Sequence, residues 1–374
     1  MMKRTLLLLA LMICVSAAFA QKGKVISAQS YKDQKKLKEA LEAINIAVDP
    51  SNPKSEKTIP WSKTWEVRGQ IYQAIYQSND ENLKKQVEKP LNTAVESYIK
   101  AIELDEKQRS NGALKISLTL LVTDFTDQAV KAFNVDDYEL ALESFKQILK
   151  IEALPVMLEK DAEATVDTVI IYNAGLAAYN AKKYDEAIKY YREASNYGYN
   201  GARTFELMAQ SYLEKPDTTG ALTVLQEGFE KYPDNSSIMV QLINIYLNTS
   251  VDDAMKYLEL AIKADPENAT YHFAQGSLYD KVQNPDKALI CYKKAIELKD
   301  DYYDAYYNLG TIFYNMGVKQ VDVANSVPTN QPEKYDEEIA KADVEFNKAV
   351  PYMEKASELN TEDLHSLKAL KTLY

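Results

Sequence analysis

The chain has 374 residues, 46% hydrophobic and 26% charged, a balance that excludes disorder over most of its length. Eleven glycines and twelve prolines are too few turn-formers for an all-β sandwich or barrel of this size. A formal charge of −11 speaks against nucleic acid and anionic membrane surfaces as partners, because both need basic patches.

Residues 1–20 read as an export signal peptide. Lys3 and Arg4 head an apolar run from Leu6 to Val15, and Ala18 and Ala20 offer an A-x-A cleavage site ahead of Gln21. The fifteen residues after Thr5 fall short of the roughly 20 that a membrane span needs. Ile13 before Cys14 is too large for a lipidation site. The short basic head is that of a bacterial export signal. It leads us to expect a periplasmic or outer-membrane-associated protein, or an extracellular one, with no integral span after cleavage. Removing Lys3 and Arg4 leaves 42 basic against 55 acidic residues, a charge of −13. Cys291 is then the only thiol, so packing rather than an internal disulfide must hold the fold.

Residues 21–60 are expected to form an N-terminal capping helix and a loop. Lys35–Val48 has amphipathic helical spacing but no clear partner helix, and residues 49–60 are rich in turn-formers. Beyond them the chain repeats itself. Gly175 is followed by Ala178, Ala187, Tyr191 and Ala194, and Gly276 at the same offsets by Tyr279, Ala288, Tyr292 and Ala295. Ala209 is followed by Tyr212, Ala221, Leu225 and Gly228, with Pro233 closing the unit, and Tyr246, Ala254, Leu258, Ala261 and Pro266 carry the next one. Small residues at fixed places let two antiparallel helices approach closely, while large ones fill the flanking holes.

This period and these residue types resemble the tetratricopeptide repeat (TPR) family. The match is dense over residues 168–302 and looser on both sides. The resemblance implies an all-α fold, a right-handed superhelical solenoid of about seven antiparallel helix pairs. Residues 61–167 read as divergent units with insertions. Trp65, Gly69 and Tyr72 are separated from Ala94, Tyr98 and Ala101 by thirteen extra residues, and a further unit carries Phe125, Ala129, Ala141 and Phe145. An extra dozen residues follow through Pro155. In the last unit, residues 303–360, Ala349, Met353 and Ala356 arrive 27 residues late. We therefore expect two helices each lengthened by about 13 residues, projecting about 20 Å at 1.5 Å per residue. Residues 361–374 read as a C-terminal capping helix.

Catalytic signatures are absent. His272 and His365 stand far apart, there is one mature cysteine, and no phosphate-binding glycine motif occurs, so no enzyme activity, cofactor or metal is expected. His272 and Cys291 read as packing residues. The acidic pairs Asp136–Asp137, Asp252–Asp253 and Asp300–Asp301 read as helix-start residues in turns.

The first helices of such an array line its concave side. Candidate groove residues are Tyr172, Asn173, Tyr179, Asn180, Gln210, Asn244, Asn248, Tyr307, Asn308, Tyr314 and Asn315, whose amides and phenols suit an extended peptide. Asn180, Asn248 and Asn315 are also read as helix-ending residues. Relatives that grip a chaperone's C-terminal carboxylate use lysine and asparagine where this chain has Glu66, Thr126, Glu206 and Val240, so that ligand is not expected. The resemblance implies a non-catalytic protein–protein interaction scaffold of the cell envelope, binding a partner protein or peptide. The alternative is a periplasmic receptor for peptide or small-molecule cargo serving an outer-membrane system.

Overall fold

A computed structural model describes residues 22–158, 167–361, 368 and 370–372, and among them only helices and short turns occur. The expected signal peptide, the segment 159–166, His365 and most of the expected C-terminal helix lie outside the described residues. The chain divides into two units, up to Lys215 and from Pro216 onward. The first holds α1 (22–33), α2 (Leu37–Val48), α3 (Ser62–Gln77), α4 (Glu81–Gln86), α5 (Pro90–Leu104), α6 (Asn111–Asn134), α7 (Tyr138–Glu152), α8 (Thr168–Asn180), α9 (Tyr184–Asn196) and α10 (Ala202–Glu214). The second holds α11 (Thr218–Lys231), α12 (Ser236–Thr249), α13 (Val251–Ala264), α14 (Ala269–Lys281), α15 (Pro285–Leu298), α16 (Tyr303–Asn325) and α17 (Pro332–Leu359).

Short polar side chains set where many of these helices begin. Asp137, Asp167, Asp217, Asn235, Ser250, Asn268 and Asn284 each accept a hydrogen bond from a backbone N–H in the first turn. Two of the acidic pairs thus supply helix-start residues, whereas Asp300 and Asp301 lie in the turn before α16, which has no capping side chain. Asp137 caps α7, while Asp252 and Asp253 occupy the first turn of α13 where the helix dipole favours them.

In four pairs the turn from first to second helix is made by a left-handed residue that is not glycine. Lys35, Asp136, Lys182 and Gln283 have φ of 62°, 60°, 59° and 57°. The next N–H reaches back five residues, as in Lys183 N to Ala178 O at 2.8 Å and Asn284 N to Tyr279 O at 2.9 Å, closing the first helix as a Schellman motif.

The small-under-large rule is literal. A Cβ on Gly175 would lie 2.8 Å from the Tyr191 ring, and one on Gly276 would lie 2.8 Å from the Tyr292 ring. In the units with insertions the same partners meet across the inserted residues, Gly69 under Tyr98 and Gly310 under Met353. Tyr98, Tyr191 and Tyr292 are buried. At about 25 cal/mol per Å², rings of this size are a large apolar contribution to the pairs that carry them. Each second helix also touches the first helix of the next pair within its unit, as α7 touches α8 and α15 touches α16.

Three features differ from the sequence reading. First, α2 has a partner: α1 supplies it, and Ala28, Ala40, Ile44 and Ala47 are all buried at the offsets seen for Gly175, Ala187, Tyr191 and Ala194. Residues 22–48 are therefore a helix pair of the repeat type rather than a lone cap. Second, the thirteen-residue insertion contains α4. Third, residues 49–60 form a knitted corner, in which Thr58 Oγ1 donates to Ala47 O at 2.6 Å and Trp65 Nε1 donates to Ile59 O at 2.7 Å.

The long last pair was legible. α16 is ten residues longer than α14 (23 against 13), and α17 is fourteen longer than α15 (28 against 14). The surplus is about 15 to 21 Å at 1.5 Å per residue. Its seam repeats every seven residues. Gly310, Gly317 and Ala324 lie buried on α16, facing Ala342, Ala349 and Ala356 on α17, and Phe346 covers Gly317 as Met353 covers Gly310. A heptad of small residues allows two helices to run close together for their whole length.

Candidate partner-binding surfaces

In the first unit, Gly69, Ala129, Gly175 and Ala209 mark equivalent points on the first helices. Four residues on stand Gln73, Phe133, Tyr179 and Leu213; five on stand Ala74, Asn134, Asn180 and Glu214. These rows are the ends of the first-helix faces. Tyr179 is half-buried, with its ring edge-on to Tyr184 at 5.7 Å, and the Tyr184 hydroxyl donates to Glu214 Oε2 at 3.4 Å. Burial, followed by the nearby Glu214 carboxylate, pushes the Tyr179 phenol above its ordinary value, so it stays a neutral donor at physiological pH. Asn180 is exposed, and its Nδ2 turns back to Leu176 O at 2.8 Å, leaving its oxygen as an outward acceptor. Gln210 is exposed on α10, and Asn173 is half-buried.

Tyr172 is a correction. It is 8% exposed, and its ring packs between Tyr191 at 5.8 Å and Tyr199 at 5.3 Å, so it belongs to the core. Phe273, three residues before Gly276, sits in the same way between Tyr292 at 5.5 Å and Tyr302 at 4.9 Å. A phenylalanine at that place is the sequence signal that the position packs.

Sequence reasoning missed a polar cluster on α3 and α6. Tyr98 donates to Gln73 Oε1 at 2.9 Å, Gln73 Nε2 donates to Asp124 Oδ2 at 2.6 Å, and Gln77 Nε2 reaches both Asp124 oxygens at about 3 Å. Tyr76 donates to Asp127 Oδ2 at 3.1 Å, and burial with that carboxylate raises its pKa. Gln73 shares its offset with Tyr179, which is how the chain could have disclosed it. Its hydrogen bonds are spent on holding α3 to α6. Glu66 and Glu206, three residues before their small residues, are buried and paired with Lys63 Nζ at 2.6 Å and Arg203 Nη1 at 2.8 Å. Negative groups therefore occupy the positions at which a carboxylate clamp needs positive ones.

In the second unit, Asn244 and Asn248 are exposed on α12 beside the partly exposed Val240. Tyr307 is half-buried and stacked on Tyr303 at 6.1 Å. Two candidates point inward. Asn308 Nδ2 donates to the Tyr292 hydroxyl at 3.2 Å, which itself donates to Ser277 Oγ at 3.2 Å, so Asn308 fastens α16 to the preceding pair. Tyr314 tilts against Phe346 of α17 at 5.7 Å and belongs to the long seam. Asn315 is exposed in the middle of α16, which corrects its reading as a helix-ending residue; it lines a cleft of about 710 Å³ with Asp280, Gln283, Asp286 and Lys319.

His272 also departs from expectation. It is half-exposed, with Nε2 2.9 Å from Pro266 O, and braces the turn before α14 rather than filling the core. Cys291 is buried as expected. Its Sγ donates to Gln275 Oε1 at 3.3 Å, and burial raises the thiol pKa, which disfavours the reactive thiolate. Among the described residues no helix is long and apolar enough to cross a membrane.

Comparison with known proteins agrees with this geometry. Residues 284–317 match the family described as TPR repeat, and residues 169–197 match the Tetratricopeptide repeat family. No curated protein matches the chain. Among solved structures, a TPR repeats protein from Bacteroides fragilis is 26% identical, covering 67% of this chain and 97% of its own, with a TM-score of 0.33. YrrB, a TPR protein with an unusual peptide-binding site, is 21% identical over 56% of this chain and 96% of its own, with a TM-score of 0.36. MamA from Desulfovibrio magneticus RS-1 is 18% identical over 48% of this chain and 96% of its own, with a TM-score of 0.37. Residues 169–197 span the pair α8–α9 and residues 284–317 span α15 and the first part of α16, and each unit is all-α, built of tetratricopeptide-type helix pairs.

Proposed function

We propose that this chain is a non-catalytic scaffold of the bacterial cell envelope that holds extended segments of partner proteins along the faces of its first helices. One observation carries the reading. Gln210, Asn244, Asn180, Asn248 and Asn315 are exposed amides on first helices, while the neighbouring rings are consumed in packing. An exposed amide both donates to and accepts from a peptide backbone, so such amides on the first helices of each unit suit main chains of varied sequence. The export signal read in residues 1–20 supports the envelope location, and the TPR match supports protein rather than small-molecule partners.

The test is in-cell photocrosslinking from Gln210 and Asn244, with fractionation of the same cells. One abundant protein adduct at both sites, in the periplasmic or outer-membrane fraction, is the expected result. A folded, expressed chain that gives no protein adduct at either site would overturn the scaffold reading and favour small cargo. Recovery of the full, uncleaved chain in the cytoplasm would overturn the location.

A further inference from the structure

The charge of this acidic chain is unevenly placed. Residues 22–40 hold six lysines against Asp33 and Glu39, and four of these lysines stand around one turn, Lys32, Lys35, Lys36 and Lys38. They line a cleft of about 680 Å³ between the α1–α2 turn and the end of α3 with the start of α4. Lys32 is partly engaged, by Gln70 Oε1 at 2.9 Å and Asp33 Oδ1 at 3.2 Å. Lys35, Lys36 and Lys38 are exposed and form no ion pair with any described residue.

Other paired turns use their charges differently. At the α8–α9 turn, Lys183 pairs with Glu139 at 3.2 Å, and at the α6–α7 turn the residues are Asp136 and Asp137. The placement also works against the local helix. α2 starts at Lys36 with no capping side chain, as α9 does at Lys183, but its first turn sets Lys38 beside Glu39 where α9 has Asp185 and Glu186, and the helix dipole favours carboxylates there. A local rule broken without a local gain points to a role outside the helix. Ala74 and Leu83 add apolar wall to the cleft, and Asn79 adds an exposed amide.

We propose that this cleft docks a carboxylate-rich segment of a partner protein, with Lys35, Lys36 and Lys38 meeting its acidic side chains. The cleft is concave and bounded by Glu39 and Asp80, and the chain beyond it is acidic. A narrow acidic strand can enter without meeting that remainder, whereas a flat anionic membrane would be repelled by it. The inference rests on the scaffold reading and names the partner chemistry at the N-terminal end of the first unit.

The test uses the full chain and a fluorescein-labelled peptide of alternating Glu and Leu, followed by anisotropy at 25 and 300 mM salt. We expect saturable binding that weakens at least tenfold at the higher salt. The variant K35E/K36E/K38E should lose at least tenfold in affinity, and K35Q/K36Q/K38Q should show a smaller loss with an unchanged thermal melt. K263E/K334E, which alters exposed lysines of the second unit outside both clefts, should bind like the parent. No binding at low salt, equal binding by the triple variants, or lysine-dependent binding to phosphatidylglycerol vesicles without peptide binding would each overturn the proposal. If these results fail while crosslinks at Gln210 and Asn244 persist, the docking cleft is wrong and the scaffold stands.

Discussion

The regular pair α8–α9 and the long pair α16–α17 obey one packing rule with different fillers. In the regular pair, Gly175 faces Tyr191, a ring with no exposed surface that is itself backed by Tyr172 and, beyond it, Tyr199. In the long pair, Gly310 faces the unbranched Met353, and Gly317 faces the half-buried Phe346. The difference is how many neighbours fix the large side chain. A ring wedged in a stack has nowhere to go, whereas methionine can change rotamer. A substitution under the wedged ring should therefore cost more than one under the methionine.

Substitution at these glycines breaks the comparison most strongly. Gly175→Ala places a Cβ 2.8 Å from the buried Tyr191 ring and should cost about 3 kcal/mol, read as a fall in the urea midpoint. Gly310→Ala should cost about 1 kcal/mol, because Met353 yields. Equal losses at the two sites would show that the long pair is as tightly held as the regular one.

Those contacts were legible because a fixed offset suffices to say which side chain covers which. The same offsets hold for Ala28, Ala40, Ile44 and Ala47, yet Lys35–Val48 was read as unpartnered. The first helix of that pair, 22–33, carries lysines in place of the large apolar residues that announce the others. Orientation was harder to read. Tyr172 and Asn308 lie on first helices as expected, but whether a side chain turns outward depends on what the adjoining pair offers it. Tyr199 lies beyond α9, and the Tyr292 hydroxyl comes from α15, so neither partner is visible from the residue's own helix.

Helix starts give a smaller effect that distinguishes local from packed stability. Asp167 Oδ1 accepts from Val169 N at 2.9 Å and Ile170 N at 3.1 Å, and Asp167→Ala should cost about 1 kcal/mol in the same urea titration. Gly112 inverts the sign seen at Gly175. Nothing lies within 4 Å of its added Cβ, so Gly112→Ala should stabilise α6 by about 0.5 kcal/mol. A loss there would mean that α6 makes a contact in solution at its N-terminal end.

The smallest expected effect concerns the left-handed turns, which four regular pairs have and the long pair lacks. Lys35, Asp136, Lys182 and Gln283 hold a left-handed conformation that carries a steric penalty for any residue with a Cβ. Glycine removes the penalty but adds freedom to the unfolded chain, so the two terms nearly offset. Lys182→Gly should therefore stabilise the α8–α9 pair by only a few tenths of a kcal/mol. Its side chain is exposed and the backbone bond from Lys183 N to Ala178 O is retained, so no packing is lost. Repeating the change at Lys35 separates stability from recognition. There the melt should shift as little as at Lys182, while affinity for an acidic peptide falls, because that lysine faces the cleft and Lys182 does not.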